Sequence, residues 1–77
     1  MEELRFINNM SSLLYKTQKD NFGPSTHLKE LQEWNLLFAT SCVMMIEEEY
    51  HVHLDINDLS HVDTVSELYR CIRNLQK

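Results

Sequence analysis

The densest group of side chains that could bind a metal or move protons lies between positions 51 and 63. It consists of three histidines and three aspartates: His51, His53, His61, Asp55, Asp58 and Asp63. Imidazole nitrogens and carboxylate oxygens can build a divalent metal site. This group, however, has no histidine pair four residues apart and no cysteine, and residues 51–55 alternate as an extended stretch does, which places both of its histidines in solvent. We therefore expect a solvated polar segment with no bound metal, and the isolated His27 indicates no site.

Two further features bear on catalysis. Glu47, Glu48 and Glu49 are consecutive in a helical segment, so their side chains fan out over about 200° and cannot converge on one substrate. They are expected to form either a solvated acidic turn or part of a recognition face for Arg and Lys of a partner. Cys42 lies in the middle of an apolar helical segment, where a thiol is usually inert. No group of residues in the sequence has the spacing of a catalytic site, and we expect that the protein is not an enzyme.

Length and charge limit the number of domains and the kinds of partner that the chain can have. The chain has 77 residues, and 7 basic against 12 acidic residues give a net charge of −5. This length is that of one domain, and the negative charge argues against nucleic-acid binding and favours a partner with a basic surface. The longest apolar stretch, residues 42–46, is too short to span a bilayer, and the acidic beginning lacks the features of a signal peptide. Cys42 and Cys71 are expected to be reduced, and the protein is expected to be cytoplasmic, without a membrane partner.

The periodicity of apolar residues predicts an all-α fold. Helices are expected at about 2–16, 35–50, 56–60 and 64–75, and a long first loop of about 18 residues separates the first two. Asn35 and Asp55 are predicted to cap the second and third helices, and Thr64 with Glu67 forms a capping box at the start of the fourth.

One core is expected to join these helices. Its predicted members are Phe6, Met10, Leu28, Leu31, Val43, Ile46, Tyr50, Leu54, Ile56, Leu59, Val65, Leu68 and Ile72, with Leu75 on the apolar face of the last helix. The second helix carries more apolar side chains than one core stripe requires. The excess has two readings, namely further core packing or an exposed patch for a partner.

Two short boxes carry a resemblance to a known family. The segment 31–37 (LQEWNLL), followed by mostly apolar helix positions and then by Glu47 to Tyr50 (EEEY), resembles the acyl carrier proteins. The segment 63–69 (DTVSELY), which follows a short acid-capped helix, is similar to the same family. The resemblance covers residues 26–76 well, and residues 1–17 only by amphipathicity. It implies a small four-helix bundle with a long first loop and a short third helix, in a single domain over residues 1–77.

The family's attachment motif is altered in this chain. In carrier proteins an Asp-Ser-Leu motif opens the second helix, and its serine carries the 4′-phosphopantetheine arm. The resemblance places Asn35 at the aspartate, Leu36 at the serine and Leu37 at the final leucine. Because leucine has no hydroxyl, no phosphodiester to the arm can form there, and we expect no phosphopantetheine. Phe38 and Ser41 stand where carrier proteins often have acids.

Two functions remain open from this resemblance. The first is an interaction module that lacks the arm and binds a partner enzyme or subunit of a lipid or polyketide pathway through its second helix. The predicted contact residues are Leu36, Leu37, Phe38, Ser41, Met44, Glu47 and Glu48. The alternative is a genuine carrier of a fatty-acid, polyketide or nonribosomal peptide pathway that is loaded at another residue, such as Ser41 or Ser25. The apolar patch also predicts a weak homodimer when no other partner is present.

Overall fold

The structure, a computed structural model, describes residues 2–76. It contains four helices: α1 (Glu2–Ser11), α2 (Leu36–Tyr50), α3 (Ile56–Ser60) and α4 (Val65–Leu75). Two single 3₁₀ turns, Lys19–Asn21 and Leu28–Glu30, lie in the loop between α1 and α2. The described residues form no β-strand, and the only pairing of that kind is an isolated bridge between His27 and Thr64. The prediction of an all-helical chain with a long first loop and a short third helix is therefore confirmed.

The first helix is shorter than predicted. It was expected to reach residue 16, but α1 ends at Ser11 and a turn follows, in which Leu14 donates to the Ser11 carbonyl. The backbone N–H groups of Tyr15, Lys16 and Thr17 donate to the carboxylate of Glu33 and not to carbonyls of a preceding helical turn. The α-helical pattern is already lost at Leu13, which donates to the Met10 carbonyl three residues earlier, and Glu33, from the far end of the first loop, then holds residues 15–17 outside the helix.

The remaining helices begin at the predicted caps. The side chain of Asn35 accepts the Phe38 N–H at 2.8 Å, so Asn35 is the N-cap and α2 begins one residue later. Reciprocal capping boxes open the other two helices and use Asp55 with Asp58 and Thr64 with Glu67. Each box satisfies backbone donors that a helix leaves unpaired at its start.

The C-terminal end of α2 is set by one residue in the left-handed region. His51 has φ 57° and ψ 34°, and its N–H donates to the Glu47 carbonyl at 3.0 Å. This conformation ends the helix. The segment 51–55 that follows has no regular secondary structure, as the absence of a partner strand predicted.

A single apolar core joins the four helices and the first loop. Eleven of the thirteen predicted members are buried, and Val43 and Ile56 are only partly buried at its edge. Six further hydrophobic residues complete the buried core: Phe22, Phe38, Ala39, Cys42, Val52 and Val62. Leu75, which was expected on the apolar face of the last helix, is exposed because it lies in the final turn of α4, beyond the core. None of the helices in residues 2–76 is both long and apolar enough to cross a bilayer.

Candidate functional site

The first loop is fixed at its end by a buried acid. The side chain of Glu33 is 1% exposed. One of its oxygens, Oε2, accepts the N–H groups of Tyr15, Lys16 and Thr17 at 3.0–3.1 Å, and the other accepts the Thr17 hydroxyl at 2.6 Å. Burial alone would raise the pKa of Glu33, but the hydrogen bonds from Thr17 and Lys16 outweigh it and lower the pKa to about 2. Sequence analysis missed this residue, because nothing distinguishes it from the neighbouring solvated Glu30.

A second set of contacts ties the middle of the loop to α4. The Leu28 N–H donates to the Asp63 carbonyl at 2.8 Å, and the Val65 N–H donates to the Thr26 carbonyl at 3.0 Å. On the surface, the Nδ1 atom of His27 lies 2.8 Å from a carboxylate oxygen of Asp63. The hydrogen bond to Asp63, together with its negative charge, raises the pKa of His27 above 6.5. The long loop is therefore tied to the rest of the domain in its middle and at its end, where it leads into α2.

The residue at the predicted attachment position lies at the loop–helix junction. Leu36 is the first residue of α2, directly after the Asn35 cap, and its side chain is 69% exposed. The position is thus open to other molecules, but its side chain is a hydrocarbon.

Most of the predicted apolar patch is exposed, but one member is wrong. Leu37 and Met44 are 75% and 58% exposed. Phe38 is 4% exposed and packs edge-on against Trp34, with the ring centroids 5.9 Å apart. Successive residues of a helix lie about 100° apart around its axis. Phe38 therefore lies on the buried side of α2 with Cys42, whereas Leu37 lies on the exposed side. Phe38 belongs to the core and does not contribute to a contact surface.

The centre of the exposed side of α2 carries two small hydroxyl residues. Thr40 is exposed and Ser41 is partly buried. Both hydroxyls donate to helix carbonyls four residues earlier, Thr40 to Leu36 at 2.8 Å and Ser41 to Leu37 at 3.2 Å. We call the five residues Leu36, Leu37, Thr40, Ser41 and Met44 the α2 face. They occupy an arc of about 140° on the helix.

The acids that continue this surface lie in the last turns of α2. Glu47 and Glu48 are exposed, and by helical spacing both lie within the arc of the α2 face. Glu47 also lies 3.1 Å from the Nδ1 atom of His53 in an exposed pair. The helix has no acid in its first turn and no base in its last. The surface is therefore apolar at its beginning and negative at its end.

A groove adjoins the first turn of α2. It has a volume of about 250 Å³ and runs between the start of α2 and α3. Apolar side chains form most of its wall, among them Trp34, Leu36 and Leu59. Lys29 and Ser60 also line the groove, and the Lys29 ammonium donates to the Ser60 carbonyl. Leu36 belongs to the α2 face and also lines the groove, so the two features are continuous.

The other chemical groups identified in the sequence do not form a site together. In the described part of the chain, no group of three or more His, Cys, Asp or Glu side chains is arranged as metal ligands. His51 terminates α2, and His53 is paired with Glu47. Cys42 is fully buried, and burial raises the pKa of its thiol to about 12, so the thiolate needed for nucleophilic chemistry is scarce at neutral pH.

Comparison with models of protein families, with curated proteins and with solved structures gives no match.

Proposed function

We propose that this chain is an interaction module of the acyl-carrier type that lacks the attachment serine and binds a protein partner through α2. One observation carries the proposal. At the loop–helix junction, where a carrier would bear its arm, the exposed side chain is that of Leu36, and exposed Leu37 and Met44 extend the apolar surface along the helix. Large apolar side chains grouped in this way on a small domain are typical of contact surfaces.

The order of elements supports the carrier-type part of the proposal. A helix, a long anchored loop, a second helix, a short third helix and a final helix follow one another along the chain. This is the arrangement that the resemblance of residues 26–76 implies. The partner we propose is an enzyme or subunit of an acyl-transfer pathway that presents apolar side chains and basic residues.

The relative strengths of the contacts follow from their chemistry. Burying one Leu side chain at an interface contributes roughly 1.5–3 kcal/mol, whereas an exposed ion pair contributes about 0–1 kcal/mol. Leu36, Leu37 and Met44 therefore supply most of the affinity. Glu47 and Glu48 mainly steer a basic partner toward the surface and raise the association rate at low salt.

Affinity capture with matched variants tests the proposal. The native chain, a Leu37→Asp variant and a Lys19→Glu variant are immobilised and exposed to extract from the host, and captured proteins are quantified by mass spectrometry. Lys19 is exposed in the first loop and is not part of the α2 face, and its substitution lowers the net charge by two against one for Leu37→Asp, so it controls for added negative charge. We expect a defined protein to be retained by the native chain and the Lys19→Glu variant and lost with Leu37→Asp. Equal retention by all three would exclude the α2 face as the binding surface.

A further inference from the structure

We infer that two copies of this chain pair through their α2 faces in antiparallel orientation, about a two-fold axis between Thr40 and Ser41. The order of side chains along the helix is the first reason. Leu37 lies three residues before Thr40, and Met44 lies three residues after Ser41. A two-fold axis at this midpoint places Leu37 of each copy opposite Met44 of the other, so these two exposed apolar side chains cover one another.

The small residues at the centre allow the helices to approach closely. Thr40 and Ser41 have short side chains, and both hydroxyls already donate to carbonyls of their own helix. Their burial in a contact therefore leaves no hydroxyl proton without an acceptor. Helices in contact lie about 8–10 Å apart, and small central side chains favour the lower end of that range.

Charge selects the antiparallel orientation. In a parallel pair, Glu47 and Glu48 of the two copies would lie side by side and repel. In the antiparallel pair, these acids lie at the start of the other copy's α2, which has no acid in its first turn and carries the partial positive charge of a helix N-terminus. Lys29 is near this end, since it lines the same groove as Leu36. The surface is thus self-complementary, as a two-fold interface must be.

The expected dimer is weak. The α2 helix has 15 residues and is about 22 Å long, so one face of it buries less than the roughly 1,200 Å² of a stable standard interface. We expect dissociation constants between about 10 µM and 1 mM. Such a dimer covers the α2 face at high concentration and yields it to a partner that binds more tightly.

Sedimentation velocity from about 10 µM to 1 mM tests whether the chain pairs through this face. We expect the sedimentation coefficient of the native chain to rise with concentration, and Leu37→Asp and Met44→Asp each to weaken pairing about tenfold or more. The Lys19→Glu control should behave as the native chain does. A native chain that stays monomeric at 1 mM, or pairing that both α2 variants retain, would overturn the inference.

Disulfide cross-linking tests the orientation, in a Cys71→Ser background that leaves only the buried Cys42. Ser41→Cys lies beside the two-fold axis and should cross-link efficiently between copies on oxidation. Leu37→Cys should not, because its two copies lie about 10 Å apart along the helix axis in the antiparallel pair. Cross-linking at position 37 as efficient as at 41 would indicate a parallel pair and overturn the proposed orientation. A monomeric chain that still captures a host protein would overturn the pairing alone and leave the proposed function standing.

Discussion

The carboxylate of Glu33 accepts two hydrogen bonds from Thr17, one from the hydroxyl at 2.6 Å and one from the backbone N–H at 3.0 Å. These two residues lie at opposite ends of the first loop, so the pair closes the loop on itself. Trp34 and the Asn35 cap follow directly after Glu33. A buried acid that is not part of the α2 face therefore fixes the loop directly before the first turn of α2, where Leu36 is exposed.

Removing the charge of Glu33 should destabilise the fold. In the Glu33→Gln variant the side chain keeps its size but loses the ionised oxygens that accept four hydrogen bonds. Because hydrogen bonds to charged groups are worth about 1.5–3 kcal/mol each and act here as a group, we expect the free energy of unfolding to fall by about 2–4 kcal/mol at pH 7. Urea titration of the native chain, Glu33→Gln and the exposed control Glu30→Gln measures this. A loss as small as that of the control would contradict the proposed anchoring of the loop.

The same residue predicts a defined sensitivity to acid. The pKa of Glu33 in the folded chain, about 2, is lower than its ordinary value of 4.5. Its stabilisation is therefore complete above pH 4.5 and is lost as the pH falls from there through about 2. The size of this shift corresponds to about 3 kcal/mol. Urea titrations between pH 7 and 2 should show the native chain approaching Glu33→Gln in stability as the pH falls, and a difference that does not shrink would contradict the low pKa.

Two adjacent residues of α2 should respond oppositely to substitution. Phe38→Ala removes a buried ring that packs on Trp34 and should lower the free energy of unfolding by about 3–5 kcal/mol. Leu37→Ser changes a side chain that is 75% exposed and should change it by less than about 0.5 kcal/mol. Urea titration monitored by circular dichroism compares the two. Similar losses for both variants would contradict the division between core and α2 face.

Introducing the carrier-protein motif tests the proposal that Leu36 occupies the attachment position. The native chain and an Asn35→Asp/Leu36→Ser variant are incubated with coenzyme A and a broad-specificity phosphopantetheinyl transferase, and their intact masses are measured. We expect the variant to gain one phosphopantetheine, because the new serine lies exposed at the loop–helix junction, and the native chain to gain none. Loading of the native chain at Ser41, Ser25 or any other residue would support a genuine carrier and contradict the proposed module.

The positions of the helices were accessible from sequence because local rules determine them. The Asn35 cap and the Thr64–Glu67 box act within three residues of one another, and both are present as predicted. The non-helical conformation of residues 15–17 was not accessible, because Glu33 binds them from 16–18 residues away in the chain. Local patterns carry no record of such a contact.

The candidate surface was predicted in part for a similar reason. The excess of apolar residues in α2 indicated an exposed patch, and Leu36, Leu37 and Met44 are exposed. The amino-acid composition of α2 does not show which side of the helix faces the core. Phe38 was therefore wrongly assigned to the exposed apolar patch. The helical angle between Phe38 and Cys42, together with the packing of Trp34, decides its burial.

Site-specific photo-cross-linking in the living host tests most directly whether the α2 face contacts another protein. A photoreactive phenylalanine analogue is placed at position 37, at position 44 or at the control position 19, and covalent adducts are resolved by mass and sequenced. We expect the same discrete protein adduct from positions 37 and 44 and none from position 19, with an adduct to a second copy of this chain at high expression. Adducts from position 19 equal to those from 37 and 44, or no adduct from either α2 position, would contradict it.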